Sequence, residues 1–288
     1  AAESLIDQLG PNDEVALIDD NVDLIARYTP DKAIVKRALD RIKVGADLAV
    51  QRYAAESLGS PSSISAPRKN PYEGRSLQFT ALFAALRELM PNDGTLPIVI
   101  FQTDGDEAPT LRDQPEAGDF IWNMPNRNYG LADILRAAEH SKATIYSVIP
   151  SERLLAIPEP EVLLRGRDML EQMERARFTS QDGYEEYIRN HPLSDAKVKL
   201  FTRRFVEGQQ AAVRVAEVTG GWSAYLETPD QAGAVYSRIL SDIKDRYVIG
   251  YYPVDSESNG RLHKVRIEVK NHPEYVVHGR DTYYAPEK

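Results

Sequence analysis

The stretch "PIVIFQTDGDE", Pro97 to Glu107, carries an apolar run into three carboxylates, Asp104, Asp106 and Glu107, set around one glycine. Two chemistries fit it. Asp-Gly reverses a chain, because glycine accepts positive φ and aspartate bonds its own backbone. A carboxylate at the carboxyl end of a buried parallel strand also stands where open α/β sheets place their ligands. Thr80, opening "TALFAAL", would begin the helix before that strand. A hydroxyl at a helix start and a carboxylate at the next strand end can meet at one rim of a parallel sheet, and hard divalent cations take that oxygen set. Taken alone, Thr80 reads as a plain helix N-cap. Both readings stay open at both residues.

Other chemistries find little here. No Gly-rich phosphate loop of the G-x-G-x-x-G or G-x-x-x-x-G-K kind occurs, and "GGWSA" lacks the second glycine of a nucleophile elbow. The five histidines (140, 191, 263, 272, 278) contain no H-x-x-x-H pair. Cysteine is absent, which removes thiolate catalysis and Cys-based zinc sites. The tyrosines of "YVIGYY" and "TYY" read as strand-filling aromatics.

The elements that would position Thr80 and Asp104 follow from periodicity. "FTALFAALREL" is an apolar helix and "LPIVIFQ" a buried strand; "LADILRAAEHSK" and "ATIYSVIP" repeat the pair. Strand–helix–strand alternation with continuously apolar strands predicts a doubly wound, mainly parallel sheet. "IVIFQ" is expected as a buried parallel strand, with "ATIYSVI" beside it and "VALID" on the sheet's other half. Upstream, a short helix stops at Gly10-Pro11, and "EVALID" and "VDLIARYT" form a hairpin across Asp20-Asn21. Thr29 is expected to cap the next helix, with Pro30 at its first position. "GADLAVQRYAAESLG" reads as a helix, followed by a Ser/Pro-rich loop, and a polar loop follows Glu107. Residues 155–205 are charged and helical, a helical insertion into an α/β core of 1–154 and 206–245. Residues 246–288 form a β extension of three runs, "RYVIGYYPV", "HKVRIEVK" and "YVVHGRDTYYAP". Val265, Ile267 and Val269 alternate with Lys264, Arg266 and Glu268, so the middle run should dock its apolar face on the core.

At 288 residues the chain is long enough for a real core, and 42% hydrophobic with 27% charged residues is an ordinary globular composition. A net charge of −9 argues against a nucleic-acid-binding surface. The longest apolar run is too short for a membrane span. The opening residues show no basic segment followed by an apolar one, so no signal peptide is read there.

The order "DEVALI…VDLIARYTPDK…FTALFAALREL…LPIVIFQTDGDE…DILRAAEHSKATIYSVIP…VAEVTGG…ILSDIKDRYVIGYYP…HKVRIEVK…YVVHGRDTYYAP" resembles the von Willebrand factor type A (VWA) domain, in the bacterial form first described in Acidobacteria. The resemblance implies a Rossmann-like fold and a metal-ion-dependent adhesion site taking Mg²⁺, Ca²⁺ or Mn²⁺. It also implies a protein partner that completes the metal shell with a carboxylate, and an extracytoplasmic setting, periplasmic or secreted. The family site has a Thr before the second core helix and an Asp in "TDG", which fall on Thr80 and Asp104. Its D-x-S-x-S loop has no counterpart here, and neither does the strand before it. The expected function is therefore a non-catalytic protein-binding module with an incomplete, weak metal site. A metal-dependent hydrolase working at the acidic rim, or a scaffold with a vestigial site, are the alternatives.

Overall fold

The computed structural model describes residues 2–20, 22–42, 77–91, 94–105, 107, 111, 129–247, 249–251, 260–272, 274–275, 277 and 279–285. The chain is mixed α/β. At its centre β3 (Ile98–Gln102), β4 (Thr144–Ile149) and β5 (Ser223–Tyr225) form a parallel sheet in that order. Ile98 pairs with Thr144, Gln102 with Val148, and Ser147 with Ser223. The middle strand, β4, is buried on both faces, because helices cover both.

The alternation of β4 shows the two layers. Ile145 and Ile149 face a core with Phe79, Leu82, Phe101, Ile134, Ala212 and Val215. These come from α3 (Gln78–Ala84, running on as a π turn over Ala85–Leu89), β3, α4 (Leu131–His140) and α7 (Asp195–Glu217). Tyr146 and Val148 face the other way, onto Leu5 of α1 (Ala2–Gln8) and Tyr236 and Ile239 of α8 (Ala232–Lys244). Ser147, buried within the strand, donates its hydroxyl to the Ala212 carbonyl of α7. The helix-on-both-faces arrangement expected from the sequence is present.

The hairpin expected at the start also forms. β1 (Val15–Ile18) pairs antiparallel with β2 (Leu24–Thr29), and α2 (Lys32–Arg41) packs on both. Two expectations need correction. The N-cap of α2 is Asp31, whose carboxylate accepts from the Ala33 and Ile34 amides; Thr29 is the last residue of β2 and takes the Asp31 amide on its hydroxyl. Pro30 therefore lies before the helix. And "VALID" does not extend the parallel sheet. Among the described residues β1 pairs only with β2, and β3 is an edge of the three-stranded sheet. The two strands end near each other through α3, since the Leu77 amide donates to the Asp20 carbonyl at 2.7 Å.

Between β4 and β5 the chain forms α5 (Glu159–Arg175), α6 (Gln181–Asn190) and α7. The boundary read at residue 205 falls inside α7, one continuous 23-residue helix whose start packs on α5 and whose end packs on the sheet. Glu174 of α5 is buried, yet balanced by Arg177 at 2.6 Å and Lys197 at 2.9 Å. Such pairing is the condition for burying a carboxylate. The helix read at 45–59, the Ser/Pro-rich loop after it and most of the polar loop after Glu107 lie outside the described residues.

The tail departs most from its reading. Its ladder is short: β6 (Leu262–Lys264) pairs antiparallel with β7 (Thr282–Tyr284), extended by one bond from the Val265 amide to the Asp281 carbonyl at 2.7 Å. The Val265–Ile267–Val269 face does not dock, and Ile267 and Val269 keep 38% and 42% of their surface exposed. The chain turns at His272 and Tyr275 instead of running back as a full strand, so the ladder closes before reaching Ile267. The described part of the first run is not a strand either, with Tyr247 90% exposed. Docking falls to β7. Half-buried Arg280 donates to the Glu139 and Ala143 carbonyls at 2.8 and 2.6 Å, and Tyr284 stacks on His140. Gly220, at φ +77, meets the Gly279–Arg280 backbone so closely that a Cβ would stand 2.6 Å from the Arg280 nitrogen.

Candidate functional site

The rim at the carboxyl ends of β3 and β4 holds both residues singled out in the sequence. α3 starts against the end of β3. The hydroxyl of Thr103, just past β3, donates to the Gln78 side-chain oxygen in the first turn of α3, and Thr103 also takes the Gly105 amide at 3.0 Å. Asp104 lies between them, half-buried. Gly105 has φ +83, so "TDG" is indeed a turn, and the reversal reading holds. The turn is also pinned. A Cβ on Gly208 of α7 would stand 2.6 Å from the Gly105 carbonyl oxygen, so two glycine backbones touch where the turn meets the helix. This closeness requires glycine at both positions.

Thr80 is not the N-cap of α3. The helix begins at Gln78, its cap position is Leu77, and Leu77 offers no side-chain bond. Thr80 is the third residue of the helix, three positions past the cap, and its amide is one of the first-turn donors with no partner inside the helix. Glu107 satisfies it from outside the helix. One carboxylate oxygen accepts the Thr80 amide at 3.0 Å, and the other accepts the Thr80 hydroxyl. Tyr129 adds a third bond, donating its hydroxyl to Thr80 at 2.9 Å. Glu107 keeps only 2% of its surface exposed. Its charge is favourable near a helix start, where the unpaired amides carry the positive end of the dipole.

Sequence reasoning placed Thr80 and Asp104 on one rim, and the helix start and strand end do meet there. It counted Glu107 among the carboxylates of the stretch without giving it a role, although Glu107 is the carboxylate that holds Thr80. The signal was the spacing: Glu107 lies three residues beyond Asp104, across a glycine turn that swings it back over α3. Tyr129 left no signal, since it reaches the rim from 49 residues away in the chain.

The donors on this rim are carboxylate and hydroxyl oxygens, the set a hard divalent cation takes. By type they suit Mg²⁺, Mn²⁺ or Ca²⁺ and not a soft metal. By number they are few. Among the described residues no group of three or more His, Asp or Glu side chains gathers to hold a metal ion. No described helix is long and apolar enough to cross a membrane.

The four described histidines are each stacked on a tyrosine: His140 on Tyr284, His191 on Tyr187, His263 on Tyr283 and His272 on Tyr275. None of these pairs involves the rim residues Thr80, Asp104 or Glu107. No family model matches the chain, and no curated protein or solved structure matches it either.

Proposed function

We propose that this chain is a non-catalytic protein-binding module of the VWA type, with a weak divalent-cation site at the Thr80–Asp104 rim, working in an extracytoplasmic setting. The observation that carries the reading is the joint between α3 and the Thr103–Glu107 turn. It brings the helix-borne hydroxyl and the strand-end carboxylate to one edge of a parallel sheet, where such sheets bind ligands. The motif order of the sequence supports the family, and the oxygen-only donors support the choice of cation.

The rim supplies Asp104, Thr80 and the Glu107 carboxylate that holds it. Thr80 donates its proton to Glu107 and accepts the Tyr129 hydroxyl, so a cation must share the Thr80 oxygen with Tyr129. A bound cation would keep most of its shell as water or take a carboxylate from a partner protein. The metal would therefore bind in the millimolar range or weaker, no more than about 4 kcal/mol. A hydrolase needs a general base beside an open metal position. The stacked histidines offer none at this rim, which favours binding over catalysis.

Isothermal titration with MgCl₂ and MnCl₂ tests the reading. Weak binding in the native chain that disappears in Asp104→Ala supports it. Equal heats from both proteins would overturn the site. Micromolar binding lost in Asp104→Ala would show a complete site and overturn the weak one.

A further inference from the structure

The sequence Lys264-Val265-Arg266-Ile267-Glu268-Val269-Lys270 reads the same in both directions about Ile267, except that Arg266 is mirrored by Glu268. That pattern is self-complementary for an antiparallel pair. Laid against a second copy about a two-fold axis at Ile267, it sets Ile267 opposite Ile267, Val265 opposite Val269, and each Arg266 opposite a Glu268. Only the end lysines meet their like.

The structure leaves this segment open for such a pair. Ile267 and Val269 are 38% and 42% exposed, and Arg266 and Glu268 pair with each other at 2.6 Å. The backbone also presents the right groups. The Arg261 carbonyl and the Val265 amide both bond to the β7 side, so odd-numbered residues direct their backbone to β7. In an extended continuation the even-numbered residues direct theirs to the opposite edge, which no described strand occupies. On that edge Arg266 and Glu268 form the hydrogen-bonded pairs. Ile267 falls on a non-hydrogen-bonded pair, where facing side chains come closest.

We propose that residues 264–270 are a homodimerisation strand: two copies of this chain join edge to edge, antiparallel, about Ile267. The contact is isologous, so the same patch serves both copies and the assembly closes at two. It covers an exposed apolar edge that would otherwise template open-ended pairing. The inference is independent of the metal rim.

Charge exchange tests it by sedimentation equilibrium over a wide protein concentration range. The native chain should show a monomer–dimer equilibrium. Arg266→Glu or Glu268→Arg alone turns two attractive cross-strand pairs into two repulsive ones, and should weaken the dimer roughly tenfold. The double exchange R266E/E268R restores both pairs and should restore the dimer. Ile267→Asp, which sets two carboxylates on the axis, should abolish it. Amide exchange gives a second readout: protection of Arg266 and Glu268, but not Ile267, should rise with protein concentration. A native chain that stays monomeric throughout overturns the proposal. So does a dimer indifferent to single reversals, or a double exchange that fails to rescue.

Discussion

The central sheet and the C-terminal ladder are both built from short strands, but they are held by different means. β4 is buried on both faces, with Ile145, Tyr146, Val148 and Ile149 fully covered by helices. The β6–β7 ladder has three paired positions, and its apolar continuation stays partly exposed at Ile267 and Val269. It stays on the core through Arg280 on two carbonyls, Tyr284 on His140, and a backbone approach at Gly220. An apolar alternation makes a strand only where a partner edge and a covering face both arrive. The core supplies both to β4. The tail supplies β6 with one short edge.

The comparison can be broken by substitution, and the largest effect belongs to the sheet. Ile145→Ala removes a fully buried side chain between α3, α4 and α7. It should cost about 3 kcal/mol by urea denaturation. A loss below about 1 kcal/mol would mean that the sheet is not the principal core.

Arg280→Ala comes next. It leaves the Glu139 and Ala143 carbonyls without their donor and should cost about 1–3 kcal/mol. Proteolysis should then cut the tail before the core. Burial of this guanidinium pushes its pKa below the ordinary arginine value, yet the group remains charged throughout the working range.

The other side of the sheet gives a pH signature. Burial, and then the hydrogen bond to Asp242, push the Tyr146 hydroxyl up from 10.0 to about 12. The folded-state pKa lies above the unfolded one, so this stabilisation is complete below about pH 10. It is lost as pH rises from about 10 through about 12. Tyr146→Phe should flatten that alkaline limb of the stability curve, read by urea denaturation across that pH range.

The smallest effect is expected at Ile267. Ile267→Ser on the exposed tail face should change monomer stability by no more than about 0.5 kcal/mol. A loss comparable to Ile145→Ala would show that this face is covered, and the contrast between the two regions would fail.

The parallel strands were legible in the sequence because both of their faces are apolar, a pattern that "IVIF" and "TIYSVI" carry without help from distant residues. The α3–β3 joint was legible through Thr80 and Asp104, because helix starts and strand ends share a rim in any parallel α/β sheet. The place of β1 was not, since an apolar run of four residues does not state which edge it meets. Glu107 was not recognised because its role depends on the Gly105 turn and the Gly208 contact, which set its direction. The tail failed for a related reason: the alternation at Val265, Ile267 and Val269 was visible, but whether a surface meets it is a tertiary fact.

The most direct test of the rim is paramagnetic broadening by Mn²⁺, read residue by residue in the amide spectrum of the native chain and of Asp104→Ala. The account predicts that low Mn²⁺ first broadens Gln78 to Ala81 and Thr103 to Glu107, and that Asp104→Ala removes this effect while leaving the rest of the spectrum intact. Broadening centred elsewhere, or unchanged by Asp104→Ala, would contradict it.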